Sequence, residues 1–177
     1  MNKILDLGCG NRKRPGAIGL DINSRSQADV VHDLNSFPYP LPDSEFDEIY
    51  VYNVLEHLDN VIRVVEELHR IAKPGAIVKV IVPYFRARWA CIDPTHRHFF
   101  TVESFSYFDP CHPHCREYDY SLARFNIEKR VFNETLKNGL FKRIVLFAAN
   151  LRPEAYERLL SHLYPLDDLT FYLRVIK

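Results

Sequence analysis

The start of the chain, a short apolar run that stops at two glycines, constrains the fold more than any other stretch. Residues 4–7 are mostly apolar and suited to a β-strand, and Gly8 and Gly10 follow directly. Because glycine has no Cβ, the backbone there can turn sharply and lie close to a bound molecule. A strand that ends in such a turn is typical of the first strand of a Rossmann-like sheet. The sequence therefore predicts an α/β fold with a Rossmann-like, open and mostly parallel sheet flanked by helices.

Acidic residues stand at the ends of three successive apolar runs. Asp6 belongs to the first run, Asp21 follows residues 17–20, and Asp33 comes shortly after residues 28–31. Ligands of open α/β sheets bind at the carboxyl ends of the strands, and a carboxylate can accept hydrogen bonds from both hydroxyls of a ribose. Each acid alone could be an ordinary turn residue. The repeated pattern favours a nucleotide-like ligand.

Several motifs of the first half share their pattern with a known family. They are Asp6-Leu7-Gly8-Cys9-Gly10, Asp21, Asp33-Leu34, residues 46–58 with Asn53-Val54-Leu55-Glu56-His57-Leu58 at their end, and residues 70–75 before an apolar run. Together they resemble the class I S-adenosylmethionine-dependent methyltransferases, and the small type 11 members above all. The resemblance covers about residues 3–83. It implies S-adenosylmethionine as the cofactor and methyl transfer as the activity.

The resemblance also implies roles for the motif residues. Asp6 would orient the methionyl ammonium, Asp21 would accept from the ribose hydroxyls, and Asp33 would accept from the adenine amino group. The glycines would let the backbone lie against the methionyl part of the cofactor. The cofactor-binding residues implied in this way are Asp6, Gly8, Gly10, Asp21, Ile22, Asp33, Leu34, Asn53 and Val54.

His57 is the best candidate for a catalytic base, since the resemblance puts it near the methyl end of the cofactor. An imidazole titrates near neutral pH, as a base should. The alternative is a structural histidine that is hydrogen-bonded in the turn after the strand. The residues predicted to contact the acceptor are Tyr84, Asp93, His96 and His98, and packing of a lid is their alternative. We expect the methyl acceptor to be a small molecule, for example one derived from a lipid or a sugar.

The connection after Gly10 is too short for the usual first crossover. A parallel crossover takes a dozen or more residues and normally contains a helix, whereas residues 11–16 leave room for one turn. Lys13 stands where a dinucleotide fingerprint requires glycine, which argues against a dinucleotide-dependent reductase. Residues 12–14 form a basic triplet, either a solvated loop or an anion contact. The missing helix keeps open a second hypothesis, a non-catalytic partner subunit that retains the cofactor fold.

A short segment rich in cysteine and histidine raises the question of a metal. Cys111, His112, His114 and Cys115 are potential zinc ligands within five residues. Zinc sites usually join two separated clusters, and the second could be Cys91, His96 and His98. Free thiols and surface histidines are the simpler interpretation, so we predict no metal site.

Further secondary structure follows from periodicity and stop signals. We expect a helix capped by Asp59 that ends before Lys73, a short helix over residues 102–108, and a helix that opens at Pro153. Residues 135–149 fit either a helix or a strand. Strands are predicted at residues 46–52, 76–82, 124–132 and 169–176, the second of them buried on both faces and the last antiparallel to the sheet.

Length and charge limit the remaining possibilities. A chain of 177 residues predicts one domain over residues 1–177, with a cofactor-binding half at 1–83 and a lid and acceptor half at 84–177. Lys+Arg and Asp+Glu are both 23, which argues against nucleic acid as a partner. The sequence contains no run of 18 apolar residues, so it predicts no membrane span. No leader pattern is visible either, and we therefore expect a cytoplasmic protein. The sequence does not indicate an oligomeric state.

Overall fold

The core of the protein is one mixed sheet, seen in a computed structural model that describes residues 2–134 and 139–177. The described residues form a seven-stranded sheet in the order β3-β2-β1-β4-β5-β7-β6. Strands β1 to β5 pair in parallel, and β7 is antiparallel to both of its neighbours. The predicted fold class is confirmed, including the antiparallel strand near the C-terminus. The strands are β1 (Ile4–Leu7), β2 (Ile18–Asp21), β3 (Val30–Val31), β4 (Phe46–Tyr52), β5 (Ala72–Pro83), β6 (Arg124–Phe132) and β7 (Asp168–Ile176).

The longest helices follow β4 and β6. The helix after β4 begins one residue later than predicted, because the Asn60 side chain, rather than that of Asp59, accepts a hydrogen bond from the Arg63 N–H at 3.1 Å. Its apolar stripe of Val64, Leu68 and their neighbours is buried against the sheet. The helices are α1 (Val61–Ile71), α2 (Arg88–Ile92), α3 (Pro113–Tyr118), α4 (Leu140–Leu151) and α5 (Pro153–Leu159).

The first crossover is as short as the sequence predicts. Residues 8–17, all of them described, contain no helix. Acidic side chains hold this loop instead. Asp6 Oδ2 accepts a hydrogen bond from the Arg14 N–H at 2.7 Å, and Asp21 Oδ2 accepts one from the Gly10 N–H at 2.8 Å. The loop is therefore anchored by the two acids that end β1 and β2.

The two faces of the sheet differ in their burial. Ile49 and Val51 are fully buried on one face, whereas Tyr50 and Lys79 on the other face are only half-buried. The prediction that β5 is buried on both faces is therefore wrong for the first part of this strand. The reason is local: residues 8–45, which would supply covering helices, contain none. The Arg14 guanidinium covers part of this face, 3.6 Å from the Tyr50 ring centre.

The region after β5 differs most from expectation. The helix predicted over residues 102–108 is only a 3-10 turn at Ser106–Phe108. Phe105 packs on Phe171 of β7, with ring centres 4.7 Å apart, which ties this region to the core. The ambiguous stretch forms helix α4 from Leu140 onward, and residues 135–138 lie outside the described residues.

Candidate functional site

Three adjoining cavities run along the carboxyl edge of the strands. We call them the loop cavity, the acid cavity and the acceptor-side cavity, with volumes of about 660, 320 and 440 Å³. Asn53, directly after β4, lines all three, and His57 lines the second and third. The cavities therefore adjoin one another at Asn53, and we call the three together the groove.

The loop cavity is built by the glycine turn. Gly8 has a φ of +68°, and a Cβ there would lie 2.3 Å from Val54 Cγ2, so no larger residue fits without displacement. Asp6 is 7% exposed, and burial raises the pKa of its carboxyl above the usual value. Of the basic triplet, Arg12 and Arg14 line this cavity without a side-chain ion pair to any of the described residues, whereas Lys13 also pairs with Asp29 at 2.8 Å.

The acid cavity brings together the acids that follow β2 and β3. Asp21 Oδ1 accepts from the Asn23 N–H at 2.8 Å, and Asp33 Oδ1 accepts from the Asn35 N–H at 2.9 Å. Both are therefore turn acids, and both also line the cavity. The two interpretations are compatible because each carboxylate oxygen can accept two hydrogen bonds. The predicted neighbours Ile22, Leu34 and Val54 lie in the same wall.

The backbone at Asn53 is unusual. Its φ of +51° lies in the left-handed region, which a residue with a side chain adopts at a cost of about 1–2 kcal/mol. The Asn53 N–H donates to the Ile81 carbonyl at 2.9 Å, so the turn is held against β5.

A chain of hydrogen bonds orients His57 in the acceptor-side cavity. Thr95 Oγ1 donates to Asp93 Oδ1 at 2.6 Å, so it accepts from His57 Nδ1, 2.9 Å away. The Nε2 atom of His57 therefore carries a free lone pair in the neutral ring. Burial, together with the neighbouring His96, lowers the pKa of His57 below its usual value.

Glu56, the residue before His57, is the most unusual group of this cavity. Its side chain is 1% exposed, and neither carboxylate oxygen has a hydrogen-bond partner among residues 2–134 and 139–177. Burial, with Asp168 and Asp93 nearby, raises the pKa of Glu56 to about 7. Burial also raises the pKa of Asp168, at the start of β7, to about 6. Neither residue is among the predicted site residues. Glu56 stands inside the motif at residues 53–58, whereas no local signal marks Asp168.

The predicted acceptor contacts divide into two groups. Asp93 and His96 line the acceptor-side cavity, together with Trp89 and Ile92. Tyr84 does not, because its side chain is fully buried and packs edge-on against Phe132 with ring centres 5.0 Å apart. His98 does not either, since its Nε2 bonds the Leu58 carbonyl at 2.8 Å and its ring lines a separate cavity.

The cysteine-rich segment does not assemble with the other possible ligands. Cys115 is buried in α3, Cys111 is exposed, and the His112 Nδ1 accepts from the His114 N–H at 3.2 Å. Within the described part of the chain, the group of side chains close enough to hold a metal ion contains no cysteine.

The sheet order and the glycine turn after β1 match the Rossmann-like fold of the methyltransferases. Comparison with protein families agrees, because residues 5–80 match the methyltransferase domain of type 11. The resemblance to class I S-adenosylmethionine-dependent methyltransferases of type 11 is thereby confirmed. The family match implies S-adenosylmethionine as the cofactor, as predicted. The groove has features that this group requires, because Gly8, Gly10 and Asp6 line the loop cavity and Asp21 and Asp33 line the acid cavity.

Solved structures support the same fold. A SAM-dependent methyltransferase from Archaeoglobus fulgidus is 19% identical, with 98% of this chain and 86% of that chain covered and a TM-score of 0.54. One from Mesorhizobium loti is 17% identical, with 97% and 90% covered and a TM-score of 0.59. A putative methyltransferase in complex with the Trm112 activator from Haloferax volcanii is 16% identical, with 99% and 83% covered and a TM-score of 0.58. At these identities the likeness shows the fold alone.

No curated protein matches the chain significantly. None of the helices within residues 2–134 and 139–177 is long and apolar enough to cross a membrane.

Proposed function

We propose that this protein is an S-adenosylmethionine-dependent methyltransferase that acts on a small-molecule acceptor, of lipid or sugar origin among others. The observation that carries the proposal is the position of Asn53, which lines both cavities that contain the predicted cofactor residues and also an adjoining third cavity of about 440 Å³. When bound, the cofactor supplies an electrophilic methyl group on a sulfonium. The protein then has to align donor and acceptor and to exclude water.

The proposed cofactor contacts follow the order of the cavities. In the loop cavity, Asp6 orients the cofactor ammonium, and the backbone at Gly8 and Gly10 lies against the methionyl part. In the acid cavity, Asp21 accepts from the ribose hydroxyls and Asp33 from the adenine amino group. The remaining proposed contacts are Ile22, Leu34, Asn53 and Val54.

The acceptor is proposed to bind in the acceptor-side cavity. Asp93 and His96 contact it there, and His57 acts on it through the free Nε2 atom. His57 is suited to this role because it lines both the acid cavity and the acceptor-side cavity. Residues 1–83 and 84–177 both contribute to the cavity walls, in keeping with the proposed division into a cofactor half and an acceptor half of one domain.

The partner-subunit hypothesis is not favoured. The missing first helix motivated it, but the glycine turn is held by Asp6 and Asp21 without that helix. The groove also retains both the proposed cofactor contacts and the acceptor-side cavity.

Calorimetric titration with S-adenosylhomocysteine tests the proposal. We expect micromolar binding by the wild type and no binding of a nicotinamide dinucleotide. Asp21→Ala should weaken binding by about 30-fold or more, since hydrogen bonds to charged groups contribute about 1.5–3 kcal/mol each. Asp109→Ala is the matched control, because Asp109 caps a similar turn through the Cys111 N–H at 2.9 Å, outside the groove. Absence of binding, or equal affinity of Asp21→Ala and wild type, would contradict the proposal.

A further inference from the structure

Three potential metal ligands meet in the acceptor-side cavity. Glu56, His57 and His96 each offer one ligand atom, and these atoms all lie within 4.8 Å of one another. The fold brings them together across about 40 residues of sequence. The Arg97 N–H donates to the Glu56 carbonyl at 2.7 Å, which holds the segment bearing His96 against the segment bearing the other two.

The buried carboxylate of Glu56 forms no ion pair with any of the described residues. Buried polar groups in folded proteins are almost always hydrogen-bonded, and a buried charge needs a partner. Both Glu56 oxygens lack a hydrogen-bond partner among the described residues, and the nearby carboxylates of Asp93 and Asp168 have the same charge. A cation in the cavity would supply the missing partner.

Hydrogen bonds place the proton of each neutral imidazole on Nδ1. His57 Nδ1 donates a hydrogen bond to Thr95 Oγ1, and the Thr95 hydroxyl donates one to Asp93 Oδ1. His96 Nδ1 lies 3.1 Å from the Ala90 carbonyl oxygen, which can only accept, so this nitrogen also carries a proton. Both Nε2 atoms therefore keep a lone pair. Metal-binding histidines characteristically donate their other ring N–H to a carbonyl or a polar side chain in this way.

We propose that Glu56, His57 and His96 bind a divalent transition-metal ion such as Zn²⁺ or Fe²⁺ in the acceptor-side cavity. Two imidazoles and one carboxylate suit such ions, whereas Mg²⁺ prefers oxygen ligands. Three protein ligands leave coordination positions open, as in catalytic sites. No metal site was predicted from the sequence, because the spacing of cysteines and histidines was its only metal signal. The burial of Glu56 cannot be read from that spacing.

The ion would give the acceptor-side cavity a preference for acceptors with an oxygen atom that can bind a metal. An acceptor with a hydroxyl or carboxylate oxygen would bind the open position, and the ion would lower the pKa of a hydroxyl there. With its Nε2 bound to the ion, His57 would hold the ion and would not take the proton, which would pass to solvent water. The acceptor oxygen would then form its bond to the methyl carbon as the bond from that carbon to the sulfonium sulfur breaks, with S-adenosylhomocysteine as the leaving group. This role rests on the proposed methyl transfer, whereas metal binding alone does not.

The test is metal titration of protein first freed of metal by a chelator. Co²⁺ reports coordination through its visible absorption, and Zn²⁺ is titrated by calorimetry. We expect one ion per chain. Loss of a group that only hydrogen-bonds a metal ligand weakens metal binding by roughly 10–100-fold. Glu56→Gln and His96→Ala each change a ligand itself, so each should weaken metal binding by more than this. Two variants are used because a glutamine buried at position 56 could impair folding, which circular dichroism would reveal.

Controls separate this site from the alternatives. His98→Ala removes a histidine two residues from His96, and Cys111→Ser removes a cysteine of the other candidate cluster; neither should change Co²⁺ binding. Thr95→Val should weaken it by about 10-fold, and Thr95→Ser should restore it. Wild-type protein without affinity for Co²⁺ and Zn²⁺ would overturn the inference, as would full binding by Glu56→Gln and His96→Ala.

Titration of the same proteins with S-adenosylhomocysteine separates the two proposals. A wild-type protein that binds S-adenosylhomocysteine but has no affinity for Co²⁺ or Zn²⁺ would refute the metal site alone. Metal binding without the cofactor product would refute the proposed function and leave the metal site standing. Glu56→Gln should bind S-adenosylhomocysteine like the wild type, because Glu56 lines only the acceptor-side cavity among the three.

Discussion

Substitution of Gly8 by alanine should test how tightly the glycine turn is packed against the groove. The new Cβ would lie 2.3 Å from Val54 Cγ2, in a backbone with a φ of +68°. Gly16→Ala is a matched control, since Gly16 also has a left-handed φ of +78° but a Cβ added there would meet no atom within 4 Å. The difference between the two variants therefore isolates the contact with Val54.

The expected magnitudes follow from these distances. Carbon atoms pack at about 3.5–4.0 Å, so the overlap at Gly8 is roughly 1.2–1.7 Å. Overpacking of this kind costs about 1–3 kcal/mol, and a left-handed residue with a Cβ costs about 1–2 kcal/mol. We expect the free energy of unfolding to fall by about 2–5 kcal/mol in Gly8→Ala and by about 1–2 kcal/mol in Gly16→Ala.

Urea unfolding measures both values, and calorimetry with S-adenosylhomocysteine measures the effect on the groove. Because Val54 also lines the acid cavity, its displacement in Gly8→Ala should weaken ligand binding by about 10-fold or more, the equivalent of about 1.4 kcal/mol. Gly16→Ala should bind normally. Adding Val54→Ala removes both methyl groups and should recover about 1–3 kcal/mol of stability as a coupling energy.

Equal destabilisation of the two glycine variants, together with normal ligand binding by Gly8→Ala, would refute a close contact between the turn and Val54. Failure of Val54→Ala to recover any stability would show that the cost comes from the backbone and not from the contact.

Other parts of the molecule give three more predictions. The Gly19 N–H and the Lys13 ammonium hold the pKa of Asp29 below its usual value. This stabilisation is present above the unfolded pKa of about 3.9 and is lost as the pH falls through the folded pKa, so the urea midpoints of wild type and Asp29→Asn should converge between about pH 5 and pH 2. Tyr156→Phe should cost about 1–3 kcal/mol of unfolding free energy, because the Leu166 N–H loses its acceptor at 2.9 Å. Asn53→Gly should be more stable than Asn53→Ala by about 1–2 kcal/mol in the same assay, since glycine relieves the left-handed strain.

Controls for these predictions come from the same chain. A constant gap between the wild-type and Asp29→Asn midpoints across this pH range would contradict the first. Tyr118→Phe is the control for the Tyr156 prediction, because Tyr118 is 46% exposed and loss of its hydroxyl should have little effect on stability. Equal stabilities of the two Asn53 variants would argue against strain at that residue.

Strand positions and the sheet could be predicted because local signals agree with the global fold. β4 has the predicted bounds, and β1 ends in its glycine turn as expected. Each acid follows its own strand, so parallel pairing alone places Asp21 and Asp33 in one cavity. The predicted roles of these residues remain proposals.

The acceptor side could not be predicted in the same way. Tyr84 and His98 have side chains typical of binding residues, but their placement depends on contacts with Phe132 and with the Leu58 carbonyl, far away in sequence. The significance of Glu56 depends on its burial, and Asp168 reaches the site from the last strand. Long-range packing decides these positions, and no short pattern records it.

The helix-free first crossover has a consequence for ionic strength. Where a helix N-terminus faces a ligand, fixed backbone amides and the helix dipole attract an anion. Here the positive charge beside the loop cavity comes from Arg12 and Arg14, and Arg14 is steadied by its 2.8 Å hydrogen bond to the Tyr52 hydroxyl. Mobile salt ions screen charges on partly exposed side chains, over about 8 Å at physiological ionic strength. The affinity of this groove for a ligand carboxylate should therefore fall as salt is added.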